Sequence, residues 1–86
     1  MIDLQAIHDS RNSFYGKAKI DNSKRGILQL YSYKILVSQI QPSGARVFNT
    51  QSQTTIRHIK EFLKQNGFRV ENTAQIIKDY KEYIKW

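Results

Sequence analysis

Apolar and polar residues alternate along the first well-patterned segment, residues 13–20, whose sequence is SFYGKAKI. A period of two residues is typical of a β-strand with one buried face. The pattern therefore predicts a strand over residues 13–20. The predicted buried face comprises Phe14, Gly16, Ala18 and Ile20, and the opposite face comprises Tyr15, Lys17 and Lys19.

Turn signals divide the following residues into further strands. Residues 21–26, DNSKRG, have the composition of a turn. Residues 27–40, ILQLYSYKILVSQI, are rich in β-branched and aromatic residues but exceed the usual strand length, which predicts a turn or bulge near residues 32–34. A second turn is expected at residues 41–44, QPSG, and a short strand at residues 45–48. These segments predict an antiparallel meander of three or four strands.

The hydrophobic period changes to 3.6 residues in residues 54–68, TTIRHIKEFLKQNGF, which predicts an amphipathic helix. Thr54 or Thr55 is expected to cap its first turn. Gly67 is expected to end it in the left-handed conformation, and Phe68 to pack back onto its last turn. The apolar face comprises Ile56, Ile59, Phe62 and Leu63.

A second helix is predicted after the first, with Asn72 or Thr73 as its N-cap. Its apolar stripe comprises Ile76, Ile77, Tyr80, Tyr83 and Ile84. Strands followed by helices indicate an α+β fold in which both helices pack on one face of the sheet and leave the other open. With 86 residues, we expect a single domain over residues 1–86.

The charge balance points to an anionic partner. The chain has 14 Lys and Arg against seven Asp and Glu, a net charge of +7. DNA or RNA is the first candidate, since basic side chains release counterions from the phosphate backbone, and an acidic protein surface is the second. Cysteine is absent, and neither a signal-peptide pattern nor an apolar run of about 20 residues is visible, so we expect a cytoplasmic protein without membrane contact.

Two surfaces are candidates for this contact. On the predicted first helix, Arg57, Lys60 and Lys64 lie within about 60° of one another, at about 100° per residue. On the predicted sheet, tyrosine beside lysine on an open face can stack on bases and bind phosphates. The sheet candidates are Tyr15, Lys17 and Lys19 on the first strand and Lys24 and Arg25 in the turn after it.

Each surface also has a purely structural interpretation. The helix stripe is then a solvated face, and the sheet residues are then an ordinary cross-strand cluster of aromatic and basic side chains. Tyr31 and Tyr33 alternate in phase with Ile27, so the pattern leaves open whether they belong to the core or to the exposed face. The sequence alone does not choose between the two basic surfaces.

No catalytic or metal-binding motif accompanies these surfaces. His8 and His58 are the two histidines, and neither belongs to a recognisable catalytic or metal-ligand pattern. We expect His58 to be a boundary residue with one ring nitrogen hydrogen-bonded. The sequence therefore predicts a protein that is not an enzyme, with no cofactor, no metal and no small-molecule substrate.

Three segments resemble a family of small proteins from phages and mobile elements of bacteria. The shared pattern is S-F-Y-G-K-A, then L-x-S-Y-x-x-x-V-x-x-I, then T-T-x-R-H-I-x-E-F-L-x-Q-x-G-F, and it covers residues 13–68. After S-Y-x the resemblance leads us to expect threonine, and this chain has Ile35 there. The resemblance implies a phage or prophage setting in a bacterial host cell, but no specific activity and no catalytic residues.

Small accessory phage proteins often act by binding and blocking a host system, and this analogy completes the functional hypothesis. We expect a non-catalytic protein that binds and inhibits a host nucleoprotein machine, of the anti-CRISPR type, through a basic surface containing aromatic residues. The alternative is a small accessory protein that binds DNA or RNA directly. A third hypothesis is a partner-binding module in a phage assembly.

Overall fold

The computed structural model describes residues 2–8, 14, 16–50 and 52–81. The elements in this part of the chain are β1 Ile2–Asp3, β2 Ala18–Asp21, β3 Leu28–Ser32, β4 Ile35–Gln41, β5 Gly44–Val47, α1 Gln53–Gln65 and α2 Thr73–Tyr80. The predicted α+β fold is confirmed. The sheet has five strands where three or four were expected, because a two-residue strand at the N-terminus adds an edge.

The strands form a meander, in the order β1-β2-β3-β4-β5, with every neighbouring pair antiparallel. The long β-rich segment divides at a two-residue turn, Tyr33–Lys34, which confirms the turn predicted near residues 32–34. A register shift in the pairing of β3 with β4 lies between Leu30 and Tyr31. The turn predicted at residues 41–44 joins β4 to β5.

The strand predicted over residues 13–20 is too long, since β2 begins only at Ala18. Gly16 has a φ of +71°, and the Lys17 amide donates a hydrogen bond to the Phe14 carbonyl over 3.0 Å, so the chain turns before it enters the sheet. Phe14 is nevertheless buried in the core. The alternation of apolar and polar residues therefore extends through a turn that the positive φ of Gly16 permits, and this is why the predicted strand is too long.

The first helix begins at a different cap from the one predicted. Ser52, not Thr54 or Thr55, is the N-cap, and its hydroxyl accepts a hydrogen bond from the Thr55 amide over 3.4 Å. Three hydroxyl residues close together in sequence compete for this role, and Thr55 instead lies buried, with its hydroxyl 3.2 Å from that of Ser32 on β3.

The C-terminus of α1 is as predicted. Gly67 has a φ of +81°, its amide donates to the Lys64 carbonyl over 3.1 Å, and the Phe68 amide donates to the Leu63 carbonyl over 3.0 Å. This pair of hydrogen bonds is the Schellman motif. It turns the chain back so that Phe68 packs against the core.

The second helix is capped by Asn72, whose side chain accepts from the Gln75 amide over 2.8 Å, as predicted. Ile76 is buried, but Ile77 is 43% exposed and does not belong to the packed stripe. Tyr83 and Ile84, the last members of that predicted stripe, lie outside the described residues. Within the described chain, neither helix combines the length and apolar character needed to cross a membrane.

The core lies between the sheet and the two helices. α1 packs on β3 and β4, and α2 packs on β5. Its buried residues are Leu4, Phe14, Ala18, Leu30, Val37, Ala45, Val47, Ile59, Phe62, Leu63 and Ile76. Among the described residues, no helix or strand covers the other face of the sheet, as the strand-then-helix order predicted.

Candidate functional site

A pocket opens at the open end of the β2–β3 hairpin, away from the hairpin's own turn and next to the turn that joins β3 to β4. Its cavity volume is about 430 Å³. Two tyrosines and three lysines dominate its lining, which comprises Gly16, Lys17, Lys19, Tyr31, Tyr33 and Lys34. We call it the Lys–Tyr pocket. All three charged side chains in this lining are basic.

Strand pairing places Tyr31 on the open face of the sheet. Its neighbour in β3, Leu30, is fully buried towards the helices, so Tyr31 points the opposite way. Lys19 on β2 is directly opposite Tyr31 in the antiparallel register, which brings the two side chains together on that face. Of the two placements left open by the sequence, the structure therefore puts Tyr31 outside the core.

Lys17 reaches the pocket from the segment before β2. Its carbonyl accepts a hydrogen bond from the Tyr33 amide over 3.0 Å, which extends the contact between the two chain segments beyond the last strand pair. Its ammonium group lies 5.4 Å from the centroid of the Tyr33 ring. This is cation–π geometry, and it holds a positive charge against an aromatic ring at the pocket wall.

The turn that presents Tyr33 and Lys34 is strained. Both residues have positive φ angles, 53° and 71°. A two-residue hairpin turn of this geometry strongly favours Asn-Gly or similar pairs, and a residue other than glycine in this region costs of order 1–3 kcal/mol. Two large side chains are retained here, and both line the Lys–Tyr pocket. Backbone strain of this kind is concentrated at ligand-binding positions.

One carboxylate modifies the charge of this pocket. The Asp3 Oδ1 atom on β1 lies 2.5 Å from the Lys19 ammonium, and both side chains are about half exposed. Exposed ion pairs are weak and are screened by salt. An incoming anion can therefore compete with Asp3 for Lys19 without removing a buried partner.

The other predicted sheet residues do not join the Lys–Tyr pocket. Lys24 and Arg25 are exposed at the turn between β2 and β3, which is the opposite end of that hairpin from Lys17 and the Tyr33–Lys34 turn. Tyr15 lies outside the described residues. Lys17 and Lys19 are thus the two predicted sheet residues that the structure brings together in one site.

The predicted helix residues form a second, separate surface. Arg57, Lys60 and Lys64 lie with His8 and Glu61 around a depression of about 80 Å³. We call this surface the α1 basic patch. The Arg57 guanidinium lies 5.5 Å from the Phe14 ring centroid. Since α1 packs on the core face of the sheet, this patch lies on the other side of the sheet from Tyr31 and Lys19.

A buried carboxylate reduces the positive character of the α1 basic patch. Burial raises the pKa of the Glu61 carboxyl, but hydrogen bonds from the His8 side chain, Gln65 and the His8 amide together outweigh it and hold that pKa below its usual value. Glu61 therefore places a negative charge within the α1 basic patch. The Lys–Tyr pocket has no such carboxylate in its described lining.

The second histidine lies in the core. His58 is buried, deeper than the boundary position predicted for it, and its Nδ1 atom lies 2.8 Å from the Ser32 Oγ atom. Its ring also packs edge-to-face against Phe14, with centroids 4.6 Å apart. Serine beside histidine is a nucleophile–base pair in many enzymes. Here both side chains are buried between β3 and α1, although Ser32 also lines a cavity of about 240 Å³ beside the β3–β4 turn.

The comparisons with known proteins identify a family. The profile of a family of unknown function, DUF8033, matches residues 2–79. The chain belongs to this family. The match extends from β1 almost to the end of α2 and so includes the Lys–Tyr pocket and the α1 basic patch of this DUF8033 member. Comparisons with curated proteins and with solved structures found no match.

Sequence reasoning missed several features of the open face in this DUF8033 chain. Lys34 was not a candidate, although it lies in a segment where a turn was predicted. A row of side-chain hydrogen bonds was also missed, in which Gln29 donates to Gln39 over 2.9 Å, Gln39 to Gln41 over 2.7 Å and Gln41 to Ser43 over 2.7 Å. Glutamines at alternate strand positions were the available signal.

Proposed function

We propose that this protein is a non-catalytic accessory protein that binds nucleic acid through the Lys–Tyr pocket. The observation that supports the proposal is the grouping of Lys17, Lys19 and Lys34 with Tyr31 and Tyr33 around one cavity. Lysine ammonium groups neutralise phosphates, and tyrosine rings offer stacking surfaces for bases. The net charge of +7 favours association with any polyanion, and the pocket supplies a defined place for it.

Salt dependence gives this proposal a quantitative form. Three lysine–phosphate contacts correspond to a slope of about −2 to −3 in the logarithm of the binding constant against the logarithm of salt concentration. Removal of lysines from the pocket should reduce both the affinity and the size of this slope. Binding that depends on the pocket is therefore distinguishable from binding that depends on net charge alone.

The experiment compares two double variants that change net charge equally. Lys17→Glu with Lys34→Glu reverses charge in the Lys–Tyr pocket, and Lys24→Glu with Arg25→Glu reverses it at the far end of the same hairpin. Fluorescence anisotropy with labelled DNA and RNA over a salt series measures the affinity. We expect the pocket variant to lose nearly all binding and the control variant to lose much less. Equal losses would contradict a defined site, and absence of binding by the unmodified protein would contradict nucleic-acid binding.

The second candidate function is inhibition of a host nucleoprotein machine, of the anti-CRISPR type. It is favoured by the α1 basic patch, which is separate from the Lys–Tyr pocket and offers a second contact surface to a large assembly. The sequence resemblance to phage and mobile-element proteins supplies the setting in a bacterial host. In this case Lys60→Glu with Lys64→Glu should abolish binding to a purified effector complex while leaving binding to free nucleic acid unchanged.

A further inference from the structure

We infer that the Lys–Tyr pocket holds a single unpaired nucleotide, with its base against the tyrosine rings and its phosphates among the lysines. The ligand class is therefore single-stranded nucleic acid, and duplexes are excluded from the pocket. The inference rests on the proposed nucleic-acid-binding function and specifies which form of nucleic acid the site accepts.

The shape of the site favours one unpaired unit. A cavity of about 430 Å³ lies within the range of roughly 300–1,000 Å³ that is typical of pockets for small ligands. A base inside a duplex has both faces covered by its neighbours in the stack. Its ring face becomes available to a protein only when the base is unstacked, as in single strands, loops and strand ends.

The two rings are held independently, which suits a stacking site. Tyr31 is set by its position in β3, between Lys19 on one neighbouring strand and Leu36 on the other. Tyr33 is set by the strained turn and remains 45% exposed. Both rings belong to the wall of the same cavity, so a flat base in that cavity lies against aromatic surface.

The three lysines reach the cavity from two segments of the backbone. Lys17 precedes β2, Lys19 lies within β2, and Lys34 lies in the turn after β3. Positive charge is therefore distributed around the rings instead of forming a single stripe. This arrangement matches a ligand that combines a flat aromatic group with phosphates on its flanks. A membrane or an acidic helix would instead present charge without a base to stack.

The experiment measures binding of the full chain to three ligands that share a phosphodiester backbone. They are a single-stranded DNA of about 12 nucleotides, a length that one small single-strand-binding domain covers, the corresponding duplex, and a single strand whose sugars carry no bases. We expect the intact single strand to bind about tenfold or more tightly than the base-free strand, because loss of stacking removes a contribution of that size. The duplex is expected to bind no better than the base-free strand.

Protein variants identify the rings responsible. Tyr31→Leu with Tyr33→Leu should bind the intact single strand as weakly as the unmodified protein binds the base-free strand. Tyr31→Phe with Tyr33→Phe keeps the rings and should retain the affinity within about threefold, since stacking needs no hydroxyl. Thermal melts confirm that each variant is folded, and the comparison of ligands on the unmodified protein needs no variant.

The outcomes separate this inference from the proposed function. If duplex and base-free strands bind as tightly as the intact strand while the Lys17→Glu, Lys34→Glu variant loses all of them, the protein binds nucleic acid by charge and the single-nucleotide inference is wrong. If none of the three ligands binds at low salt, the proposed nucleic-acid function itself is wrong. If the leucine variant still binds the intact strand more tightly than the base-free strand, the bases stack at a site other than Tyr31 and Tyr33.

Discussion

His8 and Glu61 are 53 residues apart in sequence and are joined at two points. The His8 amide donates to one carboxylate oxygen of Glu61, and His8 Nδ1 lies 2.6 Å from the other. Gln65, one turn further along α1, donates to the Gln5 carbonyl over 2.7 Å and to Glu61 over 2.9 Å. These hydrogen bonds fasten the segment after β1 to the first helix.

Replacement of Glu61 should make stability less dependent on pH. The folded state holds the Glu61 pKa below its ordinary value of 4.5, so its stabilisation is complete above pH 4.5 and is lost as the pH falls through the lowered pKa. Glu61→Gln should lower the free energy of unfolding by ~1–3 kcal/mol at neutral pH. Denaturant unfolding at several pH values should show this difference shrinking below about pH 4.5.

The control for this measurement is Glu71→Gln. Glu71 pairs with Arg69 over 2.8 Å, but both side chains are more than half exposed. Loss of such an exposed pair should change stability little, since solvent screens it. A constant difference between Glu61→Gln and the unmodified protein across the pH range would show that packing, and not the carboxylate charge, accounts for the loss.

Substitution of Gly67 tests the end of α1. An added Cβ atom at this position would meet nothing within 4 Å, so the penalty for Gly67→Ala comes only from the positive φ of 81°. We expect a loss of ~1–2 kcal/mol, and a smaller loss for Gly67→Asn, because asparagine tolerates this conformation better. Thermal unfolding of the two variants shows which of them is more stable. Equal stability of Gly67→Ala and the unmodified protein would mean that the helix end relaxes to another backbone conformation.

Relief of strain in the β3–β4 turn should raise the stability of the protein and lower its affinity for nucleic acid. Tyr33→Asn with Lys34→Gly installs the pair that this turn geometry prefers. We expect the free energy of unfolding to rise by ~1 kcal/mol, since the relieved strain exceeds the lost ring contacts. Affinity for single-stranded DNA should fall at least tenfold, because the same change removes one ring and one charge from the Lys–Tyr pocket. The Tyr33 ring centroid lies 5.9 Å from that of His58 and 5.4 Å from the Lys17 ammonium, and a less stable variant would show that these contacts outweigh the strain.

Removal of the Asp3 charge should strengthen binding of anions. Asp3→Asn leaves Lys19 without its opposing charge on β1. Affinity for single-stranded DNA is expected to rise about two- to fivefold at low salt, and this gain should vanish as salt screens the pocket. Asp21→Asn is the matched control, since Asp21 lies at the other end of β2 and accepts a hydrogen bond from the Ser23 amide. Similar gains from both variants would indicate a general charge effect.

Much of the fold follows from periodicity and turn chemistry. The change from a period of two to one of 3.6 residues, the turn near residues 32–34 and the glycine at the end of α1 were all visible in the sequence. The errors occur where local patterns are ambiguous. The alternating pattern does not reveal the turn at Gly16, and a strand of two residues is too short to show a period. At the start of α1, Ser52 and two threonines are all suitable N-cap residues, so the sequence does not decide among them.

The Lys–Tyr pocket was only partly predictable. Lys17 and Lys19 were identified from the alternation before and within β2. The phase of β3 could not be deduced from Ile27, because Ile27 precedes the strand. Tyr33 belongs to a turn, so no strand phase applies to it. The separation of Lys24 and Arg25 from the pocket depends on which end of a hairpin each residue occupies, and that is a property of the paired structure.

The sequential order of the strands has a consequence for folding kinetics. The strand pairs from β2 to β5 are joined by short turns and can form fast, whereas β1 is joined to β2 through the longer segment 4–17. The contact of His8 with Glu61 closes a far longer loop and cannot form until α1 is docked. We therefore expect the β2–β3–β4 hairpins, which carry Tyr31 and the lysines, to assemble before the N-terminal segment settles and brings Asp3 to Lys19. In this order the nascent pocket has its full positive charge first and is partly neutralised only at the last step.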